Sequence, residues 1–63
     1  MLKERANKRI RMAVVDAGIT YTDLAETIGI TRYTLSTKMR YELSDSEQDK
    51  IIEAVRKTVE RLS

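Results

Sequence analysis

Two glycines, Gly18 and Gly29, constrain this chain more than any other residues. Each stands directly after a stretch whose apolar residues recur every three or four positions, and proline is absent throughout. Glycine takes up the left-handed backbone that closes a helix without steric penalty. No useful length alternates apolar and polar residues with the period of a strand, so the reading is all-α. The first stripe, Leu2, Ala6, Ile10, Ala13, Val14 and Ala17, predicts a helix over about 3–17, with Arg5, Lys8 and Arg11 on the opposite face. Thr20 is a good N-cap for a second helix over about 21–28 that buries Leu24, Ala25 and Ile28, with Asp23 placed to return a capping bond. Thr31 caps a third helix over about 32–40, with Leu35 and Met39 inward and Ile30 plugging the corner. Ser44 and Glu47 have the spacing of a full capping box and open a last helix over about 45–62, striped by Ile51, Ile52, Val55, Val59 and Leu62.

Such a chain has few ways to be stable. Its 63 residues make one domain near the lower limit for an unassisted core. Cys and His are both absent, which removes disulfides and the commonest zinc ligand; no metal or cofactor is expected. Helix packing, association with a second copy, or both must supply the stability. No apolar run approaches the roughly 18 residues of a membrane span, and the charged start "MLKERANKR" lacks the apolar stretch of a signal peptide. The expectation is a soluble cytoplasmic domain. Enzyme chemistry finds no nucleophile–base pair here and no phosphate-cradling glycine loop, so none is expected. Charge is uneven: residues 1–41 carry eight Lys and Arg against four Asp and Glu, whereas residues 42–63 carry four against six. A basic first part is a mild mark of a surface that faces a polyanion.

The stretch "LAETIGITRYTLSTKM" is where function is most readable. Two helices that cross steeply through a short turn need a small residue at their contact, a residue tolerant of positive φ at the turn, and an apolar anchor on the second helix. Ala25, Gly29 and Leu35 meet these demands in order. Setting Leu35 toward the core, the 100° step of a helix turns Tyr33, Ser36, Thr37 and Arg40 outward. That outer face carries donors and no acid.

On these residues the chain resembles the helix–turn–helix of phage Cro and repressor proteins and their bacterial relatives, the xenobiotic-response-element type. "LAETIGITRYTLS" is similar to the family's Leu-Ala, Gly-Ile-(Ser/Thr) and Leu-Ser positions, and "TLSTKM" followed by "SDSEQDKII" is similar to small Gram-positive phage regulators. The likeness covers about residues 8–55. It departs from the pattern in a shorter segment after the third helix and in a last pair of helices fused into one. The resemblance implies a compact lambda-repressor-like domain of four to five helices, spanning 1–63 with its helix–turn–helix at about 21–40. It implies a sequence-specific regulator that occupies a double-stranded DNA operator, its third helix in the major groove and its second across the backbone.

Matching positions in that family make Arg32, Tyr33 and Thr37 the base-contacting candidates, with Ser36 behind them. Arg32 can give two parallel bonds to guanine, Thr37 a methyl or hydroxyl, and Tyr33 a ring to thymine methyls or a bond to phosphate. Phosphate contacts are expected from Tyr21 and the first amides of the second helix, and from Thr31, Lys38, Arg40 and Tyr41. Lys8 and Arg9 are either solvated or close enough to touch phosphate. One recognition helix covers few base pairs, so a homodimer on a palindromic site is expected, able to form on DNA alone. Val55, Val59 and Leu62 either meet their equivalents across a two-fold axis or fold back on the first helix. The alternative function is a protein-interaction module, antirepressor or antitoxin-like, anchored by Tyr21, Tyr33 and Tyr41; a recombination accessory factor is a further possibility.

Overall fold

The computed structural model describes residues 6–63, and the chain is all-α over them. Leu2, which begins the expected first stripe, and Arg5, on its opposite face, lie outside the described residues. The helices are α1 (Lys8–Ala17), α2 (Tyr21–Ile28), α3 (Arg32–Lys38) and α4 (Asp45–Leu62). None of them is long and apolar enough to cross a membrane.

The local signals account for most boundaries. Gly18 and Gly29 both stand in the left-handed region, at φ 69° and 92°, and their amides bond back to Val14 and Ala25 respectively. Around Thr20 the capping box is complete: its hydroxyl accepts the Asp23 amide at 3.0 Å, and its own amide donates to the Asp23 carboxylate at 3.2 Å. At Ser44 only the serine half forms, with the Glu47 amide at 3.2 Å, because the Glu47 carboxylate turns toward Lys38 Nζ at 3.9 Å. The third helix ends at Lys38, two residues earlier than expected, with Met39 as its cap.

The first helix departs most from expectation. It begins at Lys8, because Asn7 sits at φ 61° and ψ 44°, a left-handed conformation that no residue inside a helix adopts. Asn tolerates that region better than other non-glycine residues. Arg11 does not face solvent opposite the core either. It is half-buried, and its guanidinium donates to the Ala6 carbonyl at 2.9 Å and the Met39 carbonyl at 3.4 Å.

The core draws on every helix: Ile10 and Val14, Leu24 and Ala25, Leu35 and Met39, Ile51 and Val55. The last helix packs on both α1 and α2, while α3 leans on α2. Val55 is therefore spent inside the monomer, which corrects its assignment to a dimer face; Val59 and Leu62 remain 38% and 52% exposed. Ile28, expected inward, is 37% exposed. The C-terminal half of α4 is tied to α2 by polar groups. The buried Thr58 hydroxyl lies 2.7 Å from the Thr27 hydroxyl, and Arg61 donates to the Asp23 carbonyl at 3.1 Å.

Removing a fully buried leucine costs about 2–5 kcal/mol, and a core of this size supplies only about 3–5 kcal/mol in total. Leu24→Ala, which empties the centre of that core, is expected to leave the chain largely unfolded at 25 °C. Loss of the far-ultraviolet helical signal relative to the parent chain checks this.

Candidate nucleic-acid interface

The turn between α2 and α3 is compact because one carbonyl receives both of its amides. Gly29 and Ile30 donate to the Ala25 oxygen at 2.8 and 3.0 Å. Ala25 itself is buried, and a larger side chain there would push the two helices apart. The Thr31 hydroxyl caps α3 by accepting the Thr34 amide at 3.1 Å. With Leu35 and Met39 held in the core, Arg32, Tyr33, Thr34, Ser36 and Thr37 are all exposed, as are Arg40 and Tyr41 just beyond the helix. Tyr33 is 78% exposed and Tyr41 73%.

Hydrogen bonding refines what each group can do. The Thr37 hydroxyl donates to the Tyr33 carbonyl at 3.0 Å, which commits its proton to the helix and leaves the methyl and an acceptor lone pair facing out. Thr31 gives its hydroxyl proton to Thr34 Oγ1 at 2.9 Å. Its hydroxyl is thus engaged within the first turn of α3, and the exposed Thr34 hydroxyl stands beside it. The sequence reading missed Thr34, which is visible only once the hydroxyl pair is seen. At the start of α2 the Asp23 carboxylate occupies the positive end of the helix, so the first amides there are a poor phosphate cradle; Tyr21 is half-buried against the core. Lys38 leans away from the outer face. It lies at the rim of an apolar groove of about 190 Å³ between the helix–turn–helix and α4, floored by Ile30, Leu35 and Ile51.

Electrostatics separate this face from the rest of the surface. No Asp or Glu occurs in residues 27–41. Elsewhere three arginines are matched, Arg9 with Asp49 at 2.8 Å, Arg61 with Glu26 at 3.7 Å, and Arg56 with both Glu53 and Glu60, while Lys50 and Lys57 on α4 make no ion pair among the described residues. Hydrogen bonds in these pairs hold Arg9 and Arg56 more firmly protonated and push the Glu53 carboxyl down. Its bond to Asp49 turns Arg9 toward α4. Arg32 and Arg40 make no ion pair among the described residues. The unmatched positive charge of the helix–turn–helix is thus carried by an exposed surface of hydroxyls, an aromatic ring and two guanidiniums.

Comparison with models of known protein families, with curated proteins and with solved structures finds no match for this chain.

Behind the outer face lies a polar cluster that no sequence pattern signalled. The Glu42 carboxylate accepts from the Asn7 amide at 2.8 Å and from Gln48 Nε2 at 2.7 Å. The Asn7 bond, and then the Gln48 bond, hold the Glu42 carboxyl below the ordinary glutamate range. A depressed carboxyl stabilises the fold above its unfolded value and loses that contribution as pH falls through the folded one. Between about pH 5 and pH 3, Glu42→Gln is accordingly expected to lose less melting temperature than the parent chain, starting from a lower value at neutral pH. Thermal melts across that range check it.

Proposed function

We propose that this chain is a sequence-specific regulator that binds double-stranded DNA with α3 in the major groove and acts by occupying an operator, in the manner of Cro and repressor proteins. The observation that carries the reading is the exposed outer face of α3 continued to Tyr41, which has no acid and bears Arg32, Tyr33, Thr37 and Arg40, its two arginines unpaired among the described residues while Arg9, Arg56 and Arg61 are held by carboxylates. Scale agrees. Seven helical residues make a rod about 10 Å long and 10–12 Å wide, the width of a major groove at about 12 Å. Arg32 is the candidate for two bonds to guanine, Tyr33 and Thr37 for methyl and amine edges, and Ser36 for a lesser contact. Arg40, Tyr41 and Thr34 supply phosphate contacts, with Tyr21 and Lys38 at the margins. Binding as a homodimer would set two half-sites about one helical turn apart, and Val59 and Leu62 are the apolar side chains of α4 that remain for such a contact. The resemblance puts that operator on DNA in a bacterial cytoplasm.

A protein-interaction role has one observation in its favour: Tyr33 and Tyr41 are large amphipathic side chains standing almost clear of the surface, as contact anchors do. The two readings differ in salt response. Phosphate neutralisation makes log affinity fall linearly with log salt, whereas an interface of aromatic anchors is less sensitive.

Sites selected from a random DNA pool, followed by titration against potassium chloride, separate them. A symmetric pair of half-sites and a steep negative slope are expected. Arg32→Ala is expected to lose about 1–3 kcal/mol of discrimination at one base position and little elsewhere. No enrichment from the pool, with a slope near zero, would overturn the DNA reading.

A further inference from the structure

We propose that Asn7 is a positioning residue for the DNA backbone, acting through the segment 39–43; this rests on the DNA-binding reading above. That segment, which joins α3 to α4, has no helix or strand to define it. Its conformation is held from outside. Asn7 Nδ2 donates to the Met39 carbonyl at 3.1 Å and to the Tyr41 carbonyl at 2.8 Å, while Asn7 Oδ1 accepts the Leu43 amide at 2.7 Å. The Asn7 backbone amide donates to the Glu42 carboxylate at 2.8 Å. One fully buried side chain, more than thirty residues away in sequence, thus grips the segment at alternate positions.

Two further side chains close the clasp. Arg11 reaches the same Met39 carbonyl from α1, and Gln48 Nε2 donates to the Leu43 carbonyl at 2.9 Å from α4. Between the gripped carbonyls sits Arg40, whose amide is fixed on the Thr37 carbonyl at 3.3 Å. The side chains of Arg40 and Tyr41 point out of the clasp, exposed and without a carboxylate partner among the described residues. A cap for α1 would not need this arrangement. Asn7 stands at the N-cap position yet makes no side-chain capping bond; it spends all three of its amide contacts on the segment beyond α3. A loop gripped in this way meets phosphate with its backbone already ordered, so binding does not have to supply the ordering.

The test is a double-mutant cycle on a labelled random-sequence duplex, since phosphate contacts need no operator. Asn7→Gly removes the side chain while keeping a residue that accepts positive φ. Its salt slope is measured in the parent chain and in an Arg40→Ala/Tyr41→Phe background, with folding checked by circular dichroism. In the parent chain the slope is expected to become shallower by about 1. In the background lacking Arg40 and the Tyr41 hydroxyl, the same substitution is expected to change nothing. Should Asn7→Gly not fold, Gln48→Ala cuts the segment loose from its other side and is read in the same way. Equal losses in both backgrounds, or a folded variant with the parent slope, would show a purely architectural asparagine and overturn this inference while leaving DNA binding intact. A parent chain whose affinity for duplex DNA does not vary with salt would overturn both.

Discussion

The contact on which the rest of this small structure depends is the burial of one face of α4, Ile51 and Val55, against α1 and α2 together. Without disulfides there is no covalent constraint to substitute for it. Because α4 backs both earlier helices, it fixes the angle between Ile10 and Val14 on one side and Leu24 and Ala25 on the other. Leu35 and Met39 then close over the remaining opening, and that closure turns the other side of α3 to solvent. The outward face is thus a by-product of packing: whichever residues are not needed to seal the core become the surface available for recognition.

Polar groups do the work that a longer apolar core would do in a larger domain. Asn7, Gln48 and Thr58 are buried, and no buried side-chain polar atom among the described residues lacks a partner. Such groups contribute little net energy when satisfied and cost much when orphaned, so their value lies in excluding other arrangements. Asn7 with Glu42 and Gln48 defines the passage from α3 into α4. Thr58 with Thr27, and Arg61 with the end of α2, do the same at the far end of α4. The distribution of ion pairs follows from this geometry. Acids on α4 lie beside cations of α1, α3 and α4 itself, while the outer face of α3 has no acid within reach.

Much of the fold was legible because its signals are local. A glycine after a periodic run, or a Thr three residues before an amide it can accept, involves neighbours in the chain, and α2 and α4 have the limits those signals predict. The outward set on α3 follows from Leu35 and the pitch of a helix. The errors in α1 share one cause, which is competition from distant groups. Asn7 breaks a good apolar period because carbonyls beyond α3 outbid its place in a helix. Arg11 leaves its expected face for the Met39 carbonyl.

By itself, then, the sequence determined the all-α class, the two left-handed turns, the caps and the residues that α3 turns outward, since each rests on interactions within a few residues. Tertiary structure alone decided where α1 begins, that Val55 belongs to the monomer core, that Lys38 leans toward α4, and how the segment carrying Arg40 and Tyr41 is held. Those outcomes depend on which groups the packed helices bring together, Asn7 with Met39 and Leu43 across more than thirty residues among them, and no periodicity or cap encodes that meeting.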